Sequence, residues 1–349
     1  MKAYVLRGIN EFQKEEIDKP VPKAGEVVVE VKAAGICGSD IPRAYQTGAH
    51  VHPIVIGHEF SGKVVELGVE TDSEWMGKPV GVFPLIPCRK CGPCMNKQYE
   101  MCRHYDYLGS RRDGAFAEYV AVPQECLIEL PDSVSYEAAA MLEPMAVAVH
   151  AMRAMEVKRE DYVAICGLGT IGLFLAMFLR SVGIEHILVI GNKGFQKDRV
   201  LSLGIPAECY CDIREEDVEM WIGQHTAGHG VDVFFECVGK SETFSQAIDL
   251  TAPGGSVMLV GNPHSDMMLE KTVYWKILRN QLTVKGTWNS SFTGEEDDDW
   301  HYVLEKLSQK KINPEQMITH KFALDELMRG FHIMRDKSED YIKVMGVFS

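Results

Sequence analysis

Hydrophobic and polar positions alternate along this chain in two distinct textures. Up to about residue 150, short runs such as Val27-Val28-Val29-Glu30-Val31 and Gly62-Lys63-Val64-Val65-Glu66 are broken by Gly and Pro. Runs of this kind predict barrel-like β structure. Met1-Lys2-Ala3-Tyr4-Val5 reads as the first such strand and not as a signal sequence. A helix is expected to open near Ser135, whose hydroxyl can cap it, and to run through the alanines beyond. Pro144 then breaks or restarts that helix and leaves Glu143 at the junction.

From about residue 160 the order becomes strand, glycine turn, helix, strand. Tyr162-Val163-Ala164-Ile165-Cys166 is a buried strand, Ile171 to Val182 a helix, and His186-Ile187-Leu188-Val189-Ile190 the next strand. Asp232 to Glu236, Gly255 to Val260 and Leu282 to Lys285 continue the series. Such alternation predicts an α/β fold, a doubly wound parallel sheet with right-handed crossovers, beside the β-rich first part. After about residue 287 comes an acidic run, Glu295-Glu296-Asp297-Asp298-Asp299, read as a solvated helix start at the positive end of the dipole. A helix to about Lys310 and short strand-like pieces follow.

Composition narrows the partners. With 349 residues the chain is long enough for two domains with sizeable cores. A formal charge of −14 argues against a general nucleic-acid or anionic-membrane binder, and no long uncharged apolar run suggests a membrane span. Ten cysteines are too dilute for a disulfide scaffold, so a cytoplasmic protein is expected. Cys126, Cys166, Cys209, Cys211 and Cys237 read as core fillers.

Four of the remaining cysteines, Cys88, Cys91, Cys94 and Cys102, are spaced C-x2-C-x2-C-x7-C in a Gly/Pro-rich loop. That spacing lets four thiolates converge on one tetrahedral Zn²⁺, with no coordination position left open, so this metal staples and does no chemistry. Cys37, His58 and Glu143 supply a thiolate, an imidazole and a carboxylate, each beside turn residues. Three such ligands plus water make an open, catalytic zinc, and Glu59 is an alternate ligand able to displace the water. Each residue alone is more often a core or capping side chain; their combination with the cysteine loop carries the reading.

Gly167-x-Gly169-x-x-Gly172 follows a strand and opens a helix, the context of a dinucleotide fingerprint. Gly167, Gly169, Thr170, Ile171 and Gly172 are therefore expected to cradle a pyrophosphate at the helix N-terminus. The next strand ends at Ile190-Gly191-Asn192-Lys193, with glycine where NAD-binding chains present an acid to the ribose 2′-hydroxyl. Nothing there repels a 2′-phosphate and Lys193 can pair with it, which favours NADP over NAD, with Asn192 and Lys193 as cofactor contacts.

The order Cys37-Gly38-Ser39-Asp40, Gly57-His58-Glu59, four clustered cysteines, Glu143-Pro144 and GLGTIG resembles the zinc-containing medium-chain alcohol/polyol dehydrogenase family over essentially the whole chain. Glu143 in place of a second cysteine resembles the sorbitol and related polyol branch. Gly48-Ala49-His50, Tyr107 to Gly114 and Gly286-Thr287-Trp288-Asn289 resemble members of that branch acting on a sugar-alcohol phosphate. Gly191 departs from them, since an acid is expected there.

The resemblance implies a GroES-like catalytic domain (1–150 and 287–349) holding both zinc sites and a Rossmann domain (151–286). It also implies hydride transfer between a secondary alcohol and NAD(P), with homodimers or homotetramers. Ser39 resembles the family's proton-relaying hydroxyl, and His50 can extend that relay. Arg43, Arg111 and Arg112 are candidate phosphate readers, because guanidinium forks match phosphate oxygens; a surface salt-bridge pair is the plain alternative for Arg111 and Arg112. A neutral-polyol, aldonate or threonine dehydrogenase would share the zinc chemistry. A non-catalytic zinc protein or a zinc-free quinone reductase would lack a ligand that this chain retains.

Overall fold

Six segments rich in Val, Ile and Phe lie side by side in one all-parallel sheet: β1 (Tyr162–Cys166), β2 (His186–Gly191), β3 (Tyr210–Asp212), β4 (Val231–Glu236), β5 (Thr251–Leu259) and β6 (Thr283–Gly286). Their order is β3-β2-β1-β4-β5-β6, so the chain runs outward from β1 on one side and from β4 on the other. The switch point falls between β1 and β4, where open sheets of this kind bind ligands. Pairings of Cys166 with Ile190 and with Glu236, and of Glu236 with Leu259, align the C-terminal strand ends along one edge. Helices α1 (Thr170–Ser181), α2 (Gly194–Ser202), α3 (Val218–His225), α4 (Ser241–Leu250) and α5 (Lys271–Arg279) intervene. Ala164, Leu188, Phe234 and Val257 pack with Trp221, Ile222 and Ile248 in a buried cluster. This core lies within one compact unit of a computed structural model, Val147–Asn289.

The other unit joins Met1–Ala146 to the chain from Ser290 onward; the structure describes residues 1–348. Its centre is the strand Glu26–Ile36, almost wholly buried. That strand pairs antiparallel with Glu59–Leu67, Tyr119–Pro123 and Lys343–Val347. A smaller sheet orders Glu11–Glu16, Lys2–Gly8 and Ile54–Val55. Ser135 caps the helix Tyr136–Ala140 by accepting from the Ala138 amide, and a second helix, Leu142–Arg153, starts with Glu143 in its first turn.

Three features differ from the sequence reading. Strand β3 has three residues, too few to show a period of two. The C-terminal helix Leu327–Asp336 was not anticipated; it buries Leu327, Gly330, Phe331 and Met334 on one face, and a Cβ at Gly330 would lie 2.7 Å from Val344 Cγ1. Nor is the acidic run solvated throughout, since Asp298 and Asp299 are buried. Asp298 accepts from the amides of Thr293, Gly294 and His301, and Asp299 from that of Ser291, so both carboxylates serve as caps for the turn and for the helix Asp299–Ser308.

Candidate metal centre and nucleotide loop

Sheet register assembles the first donor set. Gly35 pairs with Glu59 on one side and with Met345 on the other. Cys37, just past the central strand, therefore meets His58 and Glu59 at the start of one neighbour and Lys343 at the start of the other. Ligand atoms of Cys37, His58 and Glu59 all lie within 4.8 Å of one another. A Cβ on Gly35 would stand 2.2 Å from Glu59 Oε2, so only glycine leaves room for that carboxylate.

His58 is buried and its Nδ1 makes no hydrogen bond, lying 3.5 Å from Asp40 Oδ1. Burial opposes a charge on this imidazole, but Asp40 and Cys37 outweigh it and raise the pKa well above the ordinary value. Asp40 also accepts from the Cys37 amide at 3.0 Å and from Arg43 Nη1 at 2.6 Å. Lys343 Nζ donates to Glu59 Oε2 at 2.5 Å, with both side chains 2% exposed. Burial works against its charge too, yet Glu59 and Cys37 keep the lysine pKa raised.

Glu143 stands outside the 4.8 Å set but faces the same groups. Burial pushes its carboxyl up to about 7, His58 pulling down and Glu59 pushing up. The hydroxyl of the half-buried Tyr107 donates to Glu143 Oε1 at 3.3 Å, and its ring lies 5.8 Å from that of His58. A thiolate, an imidazole and carboxylates in a buried pocket with an orphaned ring nitrogen fit Zn²⁺ by donor chemistry.

The second donor set is tighter. Sulfur atoms of Cys91 and Cys94 are 3.4 Å apart, Cys91 and Cys102 3.9 Å, and Cys88 and Cys94 4.0 Å. A tetrahedron with Zn–S bonds near 2.3 Å has edges of about 3.8 Å. Backbone amides of Arg103 and Cys94 pull the Cys91 thiol down to about 6, favouring the thiolate.

In the nucleotide loop, each glycine has a separate reason. Gly167 has φ +97°, and a Cβ there would meet Val238 Cγ2 at 2.6 Å. A Cβ on Gly172 would lie 2.0 Å from the Gly167 carbonyl oxygen, so α1 packs directly on the turn. Nothing stands within 4 Å of a Cβ on Gly169, which caps α1 at Thr170 and Ile171 and leaves its backbone open. At the end of β2, Gly191 is hemmed by Tyr210 Oη at 2.8 Å and Gln196 Oε1 at 3.0 Å. The nearby Asp212 is held by Arg214, whose side chain lowers its pKa to about 2.

The remaining candidates separate. Ser39 Oγ donates to Cys37 Sγ at 3.3 Å. His50 has its pKa lowered by burial and then by Arg111 and Arg43; its amide donates to the Ser110 carbonyl at 3.3 Å, and Arg111 lies 4.7 Å over the Tyr105 ring. Arg112 turns elsewhere, donating to Glu26 Oε1 at 2.5 Å. Sequence reasoning missed Lys343 and named Tyr107 and Asp40 only within motifs. A lysine in the apolar segment Ile342-Lys343-Val344-Met345 was the available signal.

A zinc-dependent dehydrogenase is the class that combines these donor sets with a dinucleotide-type sheet. Residues 23–132 match the alcohol dehydrogenase GroES-like domain, and residues 170–309 match the zinc-binding dehydrogenase family. The chain is 31% identical to galactitol 1-phosphate 5-dehydrogenase of Escherichia coli (strain K12), over 90% of this chain and 91% of that one. It is 32% identical to sorbitol dehydrogenase of Halalkalibacterium halodurans, over 99% and 98%. A solved zinc-binding dehydrogenase from Sinorhizobium meliloti 1021, bound to NADP, superposes with a TM-score of 0.90 at 28% identity, covering 99% of this chain and 98% of that one. The chain belongs to the zinc-dependent alcohol/polyol dehydrogenase family. Among the described residues, no helix is long and apolar enough to cross a membrane.

Proposed function

We propose that this dehydrogenase transfers hydride between a secondary alcohol of a sugar-alcohol phosphate and NADP, giving a ketose phosphate. The observation that carries the reading is the bond from the His50 amide to the Ser110 carbonyl at 3.3 Å, which sets Arg111 next to the His50 loop on the same unit as the donor set Cys37, His58 and Glu59. Cys37, His58 and Glu59, with Glu143 as a further ligand, would hold zinc, which would supply Lewis acidity favouring loss of the substrate hydroxyl proton. Asp40 holds the Cys37 backbone by accepting from its amide, and Tyr107 orients Glu143. Lys343 retains Glu59. Ser39 and His50 carry the proton outward, and the lowered His50 pKa keeps its imidazole free to accept. No protein nucleophile is needed, because the dinucleotide carries the redox step.

The NADP preference rests on the end of β2. Gly191 presents no acid and a Cβ there would stand 2.8 Å from Tyr210 Oη, Asp212 is paired with Arg214, and Lys193 stands at the start of α2. The sorbitol dehydrogenase relative supports the second reading, an unphosphorylated polyol with the same mechanism.

Initial rates with NAD and NADP, each with galactitol 1-phosphate and with sorbitol, test both points. Expected are a preference for NADP and for the phosphate ester, the latter falling about tenfold or more in Arg111→Ala. Arg112→Ala should leave the preference in place and act on stability, since it strands Glu26. Preference for sorbitol in the wild-type enzyme overturns the phosphate reading and leaves the mechanism standing.

Assembly follows from the sheet edge. All four residues of β6 are exposed at the outer edge of the sheet, and Tyr274, Trp275 and Leu278 on α5 are exposed too. An open edge of this kind is matched by a second copy across a two-fold axis, giving a homodimer with a continuous sheet. Light scattering should show a dimer for the wild type and a monomer for Val284→Asp, which sets like charges across the axis. A monomeric wild type would rule this interface out.

A further inference from the structure

Glu236 ends β4 at the switch point and is 2% exposed. One of its oxygens, Oε1, accepts three hydrogen bonds: from the Val238 amide at 2.8 Å, the Gly239 amide at 2.9 Å and the Thr243 hydroxyl at 2.8 Å. Its own carbonyl receives the amides of Val260 and Gly261 from the loop after β5. The two loops are pressed together: a Cβ on Gly261 would lie 2.2 Å from the Gly239 amide nitrogen, and one on Gly239 2.7 Å from the Asn262 carbonyl carbon. On its other side the same segment abuts the glycine turn, with the Cys237 amide donating to the Cys166 carbonyl at 2.8 Å and Val238 filling the space beside Gly167. Hydrogen bonds to a carboxylate are roughly twice as strong as neutral pairings. Glu236 draws Cys237–Gly239 into a fixed ledge opposite the pyrophosphate turn.

The direction of a bound dinucleotide follows from the sheet. Pyrophosphate rests on the turn after β1, and the adenine-side ribose lies at the end of β2. The other half must therefore run toward β4 and β5, over this ledge. We infer that Glu236 is a positioning residue for the nicotinamide half of the cofactor, acting through the backbone of Cys237–Gly239. This rests on the cofactor reading given above.

Calorimetric titration of the zinc-replete enzyme with NADP, NAD, ADP and adenosine 2′,5′-bisphosphate tests it. The last two probes carry only the adenine half. Glu236→Gln should weaken binding of the preferred dinucleotide about tenfold and leave the preferred adenine-half probe within twofold. Its KM for the dinucleotide should rise in step with the weakened binding. Thr243→Val, which removes one donor and keeps the carboxylate, should give a smaller weakening of the same kind, and it decides the matter alone if Glu236→Gln does not fold. Equal weakening of dinucleotide and adenine-half probes, or no weakening, overturns the inference. A wild-type enzyme that binds neither dinucleotide overturns the cofactor reading itself, which separates the two failures.

Discussion

Cys37→Ala will lower kcat/KM by about a thousandfold or more, with one of two zinc equivalents lost and the fold retained. A Lewis acid that stabilises developing negative charge is worth several kcal/mol, and each 1.36 kcal/mol is a factor of about ten in rate. Removing the thiolate leaves His58 and carboxylates, a poorer set for zinc. The four-cysteine lobe is built from a separate stretch of chain, so a zinc held there should be retained. Metal analysis by mass spectrometry together with NADP reduction rates checks this. Cys91→Ser should do the reverse, releasing the lobe's zinc and lowering thermal stability through loss of a structural staple. A Cys37→Ala enzyme with two zinc equivalents, or with a rate within tenfold of wild type, would place the catalytic metal elsewhere.

Residues whose spacing is local were readable from the chain. The four cysteines sit within fifteen residues, and a short loop can close on only one geometry, so spacing alone implied the tetrahedral cluster. Gly167, Gly169 and Gly172 were equally legible, because turn, ligand approach and helix packing each demand glycine at a fixed offset. The strand–helix alternation that follows was visible for the same reason, its apolar runs being long enough to show what they are.

Contacts set by register were not. Lys343 and Glu59 lie 284 residues apart and meet only because Lys343–Val347 and Glu59–Leu67 flank the same central strand. Arg111 and Arg112 are adjacent, yet one lies over the Tyr105 ring and the other is bound to Glu26. No pattern in the loop distinguishes them; the chain's local path does. Asp298 and Asp299 show a third kind of gap, since an acidic run is charged on paper but two of its members are turned inward by amides that need acceptors.

The pair that sequence reading missed carries the largest expected effect on stability. Lys343→Met keeps the side chain's volume and apolar stem but, in the zinc-free protein, leaves the Glu59 carboxylate buried without its cation. Breaking a buried ion pair from one side costs roughly 3–5 kcal/mol, because the surviving charge stays desolvated. Surface pairs such as Lys2 with Asp325 should change stability by no more than about 1 kcal/mol. Adding Glu59→Gln to Lys343→Met removes the stranded charge and should restore most of the loss, although Gly35 leaves Glu59 little room to reorient. Urea unfolding of wild type, both single variants and the double variant gives the coupling energy directly. A Lys343→Met enzyme within about 1 kcal/mol of wild type would show that Glu59 draws its compensation from another source.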